Sequence, residues 1–339
     1  MGKVPVAAAH HDWVEALRGA GRMRVAVVGG SGRLGSRLVR FLVKAGHQVV
    51  VLDTTPPQPL NGLRFVGCDL LERDRFPYAA LRGCTAVVHL AALHGAHLVS
   101  GTDRRRFWAV NVDGTHRALD AARRAGVGHF VLASTTSVYG PGSPAGQPAR
   151  VLDEETPLAP EDIYDLTKIA AERLLREAAR DGMTGVALRL GRFFFPSVAD
   201  YHLRKLSTGL DVRDACQAVA LALLAPPGRR AAAYCVASDL PLEREQRLRL
   251  GLDAAQVLDE VLPTFAGLAR RRGVAIPSRV GKSVSTAAIR RALGYAPERS
   301  LAWLASTWSL QPRQAPRPRA APQRRRVTAN VDHLSAALY

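Results

Sequence analysis

Residues 24–35, RVAVVGGSGRLG, constrain this chain more than any other stretch. An apolar run that reads as a buried strand meets the start of an amphipathic helix, with glycines at Gly29, Gly32 and Gly35 between them. Glycine permits the tight turn and lets the backbone come close to a diphosphate. The helix that follows aims its free N–H groups and positive dipole end at the same place. Asp53 closes the next apolar run, where a carboxylate can hold ribose hydroxyls. It would repel a 2′-phosphate, and the residues at 54–57 carry no base, so the stretch predicts NAD rather than NADP.

The remaining chain supports a parallel sheet around that turn. Strands are expected at 24–29, 48–53, 63–67, 85–90, 129–133 and 185–190, alternating with helices at 34–45, 104–125 and 161–180. Short apolar strands alternating with helices predict an α/β fold with a doubly wound sheet covered on both faces. Past residue 191 the alternation becomes irregular, with helices expected at 213–224, 254–271 and 286–293. The predicted division is a weakly patterned N-terminal extension (1–22), a dinucleotide-binding domain (23–190) and a small, mostly helical C-terminal substrate cap (191–310). From that cap the chain returns to the sheet. A basic, Pro- and Arg-rich tail (311–339), expected to be disordered, completes it.

Composition removes several classes of function. With 47% hydrophobic and 22% charged residues the 339-residue chain reads as an ordinary soluble protein. No apolar run reaches membrane-spanning length and no secretory h-region is evident, so a cytoplasmic protein with no membrane partner is expected. Cys68, Cys84, Cys216 and Cys235 are scattered, which suits core thiols in a reducing compartment rather than a disulfide frame or a zinc site. His94 and His97 form an HxxH without a third ligand, so no metal is expected and they read as loop histidines near the cofactor phosphates. The net charge is +18, yet only five of the 47 basic residues are lysine. That skew suggests compositional bias more than a face built for nucleic acid, and a nucleic-acid partner is disfavoured. The basic tail reads as solubilising, the sharper alternative being a weak polyanion anchor.

Tyr164 and Lys168 lie four apart in YDLTK and share one helix face. A free phenol, with a pKa near ~10, is a poor base at neutral pH. A lysine ammonium one turn away and a cationic nicotinamide lower that pKa, so the tyrosine can exchange a proton with a substrate hydroxyl while hydride moves to or from the cofactor. Lys168 can also hold the nicotinamide ribose. Directly after the strand at 129–133 comes STTSVYG, whose hydroxyls fall at the strand end facing the ligand crevice.

Taken in order, VVGGSGRLG, Cys68-Asp69-Leu70, His89-Leu90-Ala91-Ala92, Asn111-Val112-Asp113-Gly114-Thr115, ASTTSVYG and YDLTK resemble the extended short-chain dehydrogenases/reductases, the NAD-dependent epimerase/dehydratase family, closely over residues 23–190 and loosely beyond. The resemblance implies a Rossmann fold with the cofactor turn at Gly29, Gly32, Arg33, Leu34 and Gly35. It implies that Asp53 meets the ribose, that Asp69 and Leu70 flank the adenine, and that Leu90, Ala91 and Ala92 run along the dinucleotide. Thr135 becomes the catalytic hydroxyl beside Tyr164 and Lys168. Pro196 falls beside the nicotinamide, and Asn111 is structural.

Dehydratases of this family carry an Asp-Glu pair after the catalytic Thr, and decarboxylases a Glu at the position of Ser137. The small pair Thr136-Ser137 resembles instead the UDP-glucose 4-epimerase type, and both residues are expected on the substrate side. Arg192 occupies a position where the family often has a substrate-touching Asn, which suggests either an anionic group or a rim arginine held by its own neighbours. Only residues 197–209 separate Pro196 from the next recognisable block, shorter than nucleotide-sugar enzymes usually have. The leading expectation is an NAD-dependent epimerase/oxidoreductase acting on a sugar or nucleotide-sugar. The alternatives are an NAD-dependent dehydrogenase or ketoreductase on a small, possibly anionic substrate, and a non-catalytic NAD-binding regulator. A homodimer through 104–125 is implied by family analogy alone.

Overall fold

A computed structural model describes residues 12–72, 76–193, 198–225 and 231–309. The basic tail and Pro196 lie outside them.

The first half follows a strand–helix rhythm: α1 (Asp12–Gly19), β1 (Arg24–Val28), α2 (Arg33–Lys44), β2 (Gln48–Asp53), β3 (Leu63–Gly67), β4 (Ala86–His89), α3 (Gly95–Val99), α4 (Arg104–Trp108), α5 (Gly114–Arg124), β5 (His129–Thr135), β6 (Arg150–Leu152), α6 (Ile163–Arg180) and β7 (Thr184–Leu190). The second half contains α7 (Val198–Arg204), α8 (Val212–Leu223), β8 (Ala232–Val236), α9 (Arg244–Arg249), α10 (Ala254–Val261), α11 (Pro263–Arg271), β9 (Lys282–Val284), α12 (Ala287–Leu293) and α13 (Leu301–Ser309).

Seven strands form one sheet in the order β3-β2-β1-β4-β5-β7-β8, with every pairing parallel. This is the doubly wound Rossmann arrangement. β1 and β4 adjoin where the winding reverses, so the carboxyl ends of the central strands open a crevice there. Strands covered on both faces need consecutive apolar residues, and VAVV of β1 and VVVL of β2 supply them. One face is closed by α1, α2, α8 and α12 around Leu38, Leu42 and Val219. The other is closed by α5 and α6 around Leu119, Ala122 and Leu175. A separate apolar cluster holds α7, α10, α11 and α13 together around Leu206, Leu258 and Phe265. A two-stranded parallel sheet, β6 with β9, brings residues 282–284 back beside the segment that follows β5.

Three details depart from the sequence reading. The stretch at 1–22 contains α1, whose Trp13 and Leu17 are buried in the sheet's core, with Trp13 edge-on to Phe41 at 5.2 Å. The single helix expected at 104–125 is interrupted by a π turn at Ala109–Asp113. There the Asn111 amide takes the Leu93 N–H at 2.8 Å and donates to the Leu93 carbonyl and to Thr167 Oγ1, which ties the loop after β4 to α6. The helix expected at 254–271 is two, divided where Pro263 starts α11.

Candidate active site

A single cleft of about 1470 Å³ opens at the carboxyl ends of the strands. It is lined by every residue expected to touch cofactor or substrate except Pro196, which lies outside the described residues.

The glycines of its floor have separate reasons. Gly29 has a φ of +82°, and a Cβ there would sit 2.5 Å from the backbone nitrogen of Ala91. A Cβ on Gly35 would fall 2.3 Å from the Gly29 carbonyl oxygen. Gly32 is different. An added Cβ would meet only the Gly29 oxygen, at 3.4 Å, so its smallness keeps space open on the cleft side. Gly32 is also the N-cap of α2, with no side chain capping that end and no acid in the first turn. An uncapped helix end above an open glycine fits a diphosphate. Asp53 stands at the edge, accepting the Ser31 N–H at 2.9 Å and the Thr55 N–H at 3.3 Å, which fixes the loop in front of β2. Asp69 is held by the Leu71 N–H at 2.8 Å, with Leu70 beside it in the cleft wall.

Across the cleft, α6 begins at Asp162, whose carboxylate accepts the Asp165 N–H at 2.9 Å. That cap sets the first turn so that Tyr164 and Lys168 face the cleft. Lys168 is 3% exposed and its ammonium has no hydrogen-bond partner among the described residues. Burial lowers its pKa to about 8 against the opposing pull of Glu172, one turn further on. A buried ammonium lining the cleft with no protein partner fits a ribose hydroxyl. Glu172 is itself held by a bidentate bond from Arg189, at 3.1 and 2.9 Å, and by the Ser134 hydroxyl at 2.5 Å. Arg189 continues to the Tyr139 hydroxyl at 2.6 Å, so a fully buried polar network supports the lysine from below.

The Tyr164 phenol lines the cleft with Thr135. Burial, with Asp165 and Asp162 nearby, pushes its pKa up to about 12 against the lowering influence of the Thr135 hydroxyl. In the free protein burial outweighs what lowers the phenol, so the expected joint action of Lys168 and a cationic nicotinamide depends on the cofactor being bound. Of the two small residues, Thr136 turns its hydroxyl to the Leu190 carbonyl at 3.5 Å. Ser137 turns its hydroxyl to the Asp165 carboxylate. The sequence reading passed over Asp165 inside YDLTK, although an acid directly after the tyrosine was visible. It also missed Lys282, whose ammonium donates to the Gly140 carbonyl on the same side of the cleft.

His94 and His97 cap α3 reciprocally: His94 Nδ1 accepts the Ala96 N–H at 3.3 Å and His97 Nδ1 accepts the His94 N–H at 3.0 Å. His94 lowers to about 4, through burial and then through His97, Arg33, Arg192 and Lys168. The exposed Arg192 is fixed through its backbone, its N–H bonding the Thr208 carbonyl at 2.8 Å. Among the described residues no group of His, Cys, Asp and Glu could hold a metal, and no helix is long and apolar enough to cross a membrane.

Comparison with known proteins agrees with this geometry. The model of the NAD-dependent epimerase/dehydratase family matches residues 25–210. A 3β-hydroxysteroid dehydrogenase/Δ5→4-isomerase of Mycobacterium tuberculosis is 37% identical over 178 residues, 49% of this chain and 46% of the relative, so the match spans about half of that protein. A 4-hydroxy-2-methyl-3-oxo-4-farnesyl-3,4-dihydroquinoline-1-oxide ketoreductase of Stigmatella aurantiaca is 31% identical over 264 residues, covering 70% of this chain and 75% of the relative. Among solved structures, a UDP-galactose 4-epimerase is similar with a TM-score of 0.57 at 25% identity, over 85% of this chain and 97% of its own.

Proposed function

This chain belongs to the NAD-dependent epimerase/dehydratase family, and from that premise we propose that it moves hydride reversibly between NAD and a hydroxyl- or ketone-bearing carbon of a sugar or nucleotide-sugar. The observation that carries the reading is the meeting of three features in one cleft: the Tyr164 phenol with Thr135, the Lys168 ammonium and the open Gly32 turn.

NAD, when bound, accepts or returns the hydride. Gly32, Arg33, Leu34 and the α2 amides hold its diphosphate, with Gly29 and Gly35 shaping the turn. Asp53 holds the adenosine ribose, Asp69 and Leu70 flank the adenine, and Leu90, Ala91 and Ala92 border the rest. Lys168 holds the nicotinamide ribose. Tyr164 takes the substrate hydroxyl's proton, and Thr135 aligns the same oxygen. Thr136, Ser137 and Arg192 border the substrate.

A second reading is net dehydrogenation or ketoreduction of a smaller substrate, an anionic one included. The short α7 segment between β7 and α8 favours it, as does Arg192 at the rim.

The purified protein, loaded with NAD⁺, is mixed with UDP-glucose, UDP-galactose and a 3β-hydroxysteroid, and nicotinamide absorbance is followed. Transient bound NADH with interconversion of the two sugars supports the epimerase; accumulating free NADH supports the second reading. Failure to bind NAD⁺ contradicts both.

A further inference from the structure

We propose that Arg189 is a positioning residue for the reaction: by holding the Glu172 carboxylate down on the sheet, it leaves the Lys168 ammonium free for the cofactor. The inference rests on Lys168 holding the nicotinamide ribose, as read above.

Lys168 and Glu172 lie four apart on α6. That spacing puts their Cβ atoms about 5–6 Å apart on one helix face, where a lysine and a glutamate ordinarily pair. Both are buried, at 3% and 4% exposure, so little solvent screens either charge. Yet among the described residues no hydrogen bond or ion pair joins them, and the bonds that Glu172 makes all go elsewhere.

Those bonds come from the sheet. Arg189 Nε donates to Glu172 Oε1 at 3.1 Å and Nη2 donates to Oε2 at 2.9 Å, while Ser134 Oγ donates to Oε1 at 2.5 Å. Ser134 and Arg189 are register partners on β5 and β7, so the donors rise from neighbouring points beneath α6. Two parallel N–H bonds fix the plane of the carboxylate as well as matching its charge. Arg189 is held in turn: Nη1 donates to the Tyr139 hydroxyl at 2.6 Å, and the guanidinium lies 5.2 Å from the centre of that ring. Glu172 is thereby turned to the sheet, whereas Lys168 lines the cleft, which Glu172 and Arg189 do not reach.

Stability alone does not call for this pair. Desolvating two charges largely offsets their attraction, and apolar residues of similar volume serve as well. What the guanidinium adds is a fixed claim on one carboxylate. Without it Glu172 is a buried charge with no counterion, and one helical turn away stands the Lys168 ammonium. Of the other groups around that ammonium, His89 and His94 are held neutral by burial, which leaves Glu172 as the one able to capture it.

The test follows Lys168 and the cofactor together. The protein is labelled with ¹³C at lysine Cε; five lysines give a sparse spectrum, and Lys168→Met identifies the signal. In the free wild type Lys168 is expected to titrate at about 8. In Arg189→Met it should titrate at about 10.4 or above, as a lysine paired with an ionised carboxylate does. Adding Glu172→Gln removes the carboxylate, and the titration should return to about 8 or below. NAD⁺ affinity, read by calorimetry at neutral pH, should fall about tenfold in Arg189→Met and recover to within about threefold in the double variant. General loosening of the site would move both variants alike, so recovery on adding Glu172→Gln marks capture. If Arg189→Met does not fold, Arg189→Lys takes its place. One ammonium cannot span both carboxylate oxygens, so the same changes are expected at smaller size, again reversed by Glu172→Gln. An unchanged Lys168 titration in the Arg189 variant overturns the proposal, as does a double variant that keeps the single variant's changes. If wild type binds no NAD⁺, the proposed function fails, and the lysine titration still decides on Arg189.

Discussion

The glycines of the cofactor turn show how differently one residue type can be used. Gly35 sits where a methyl would meet backbone at 2.3 Å, so Gly35→Ala must displace the loop and is expected to lower stability by about 1–3 kcal/mol as well as weaken NAD⁺ binding. Gly32 has room for the methyl, at 3.4 Å from its nearest neighbour. Gly32→Ala should melt within a degree or two of wild type, yet bind NAD⁺ on the order of tenfold more weakly, about 1.4 kcal/mol. Calorimetric melting and NAD⁺ titration of both variants check this; unchanged affinity in Gly32→Ala would remove Gly32 from the diphosphate site. Lysine scarcity carried a signal that spacing did not. Arginine supplies nearly all the positive charge, yet of five lysines Lys168 and Lys205 are buried and Lys282 is partly so. A compact ammonium whose pKa yields to burial is not replaceable by guanidinium, and lysines kept against an arginine-rich background mark such positions.

At the scale of elements, the central strands were legible because burial on both faces demands continuous apolar runs, and β2 falls where the pattern put it. What the pattern could not report is long-range partnership. β8 is only five residues long and β9 only three, and each gains meaning from a partner far away in the chain. The π turn at 109–113 follows from the Asn111 contacts with Leu93 and Thr167, which no helical periodicity encodes. The site's blocks were legible as motifs. The Ser137–Asp165 contact was not, because it joins two motifs that had been weighed separately. α1 also looked weakly patterned in sequence, yet it packs on α8 and the sheet through Trp13 and Leu17. Trp13→Ala should therefore cost about 3–5 kcal/mol in denaturant unfolding. A loss below about 0.5 kcal/mol would mean that α1 rides on the surface.

For the whole molecule, buried ionisable groups fix how stability depends on pH. His89, His94 and His202 are held neutral by burial, with pKa values of about 3, 4 and 4. Below about pH 6.5 the unfolded chain binds protons that the fold refuses, so stability falls with acid down to those values, by up to ~1.4 kcal/mol per pH unit for each histidine. Asp214, raised to about 6, and Asp165, also raised by burial, work against this but are outnumbered by the histidines. On the alkaline side burial lowers Lys168 and Lys205 to about 8. Above that pH the unfolded chain keeps protons the fold has lost. This would by itself make the fold more stable up to about pH 10.4, where free lysine gives up its proton. Melting temperature against pH should thus rise from acid to about pH 6.5, level off to about 8, and gain again from the two lysines toward about 10.4. A maximum well below pH 6 would contradict the assigned burial.

The Thr135–Tyr164–Lys168 arrangement is the centre of the account, and stopped-flow absorbance of NAD⁺-loaded Tyr164→Phe beside wild type tests it most directly. The variant is expected to bind NAD⁺ as wild type does and to form bound NADH some 10²–10⁴-fold more slowly with a probe that wild type oxidises. Bound NADH appearing at the wild-type rate in that variant would contradict it.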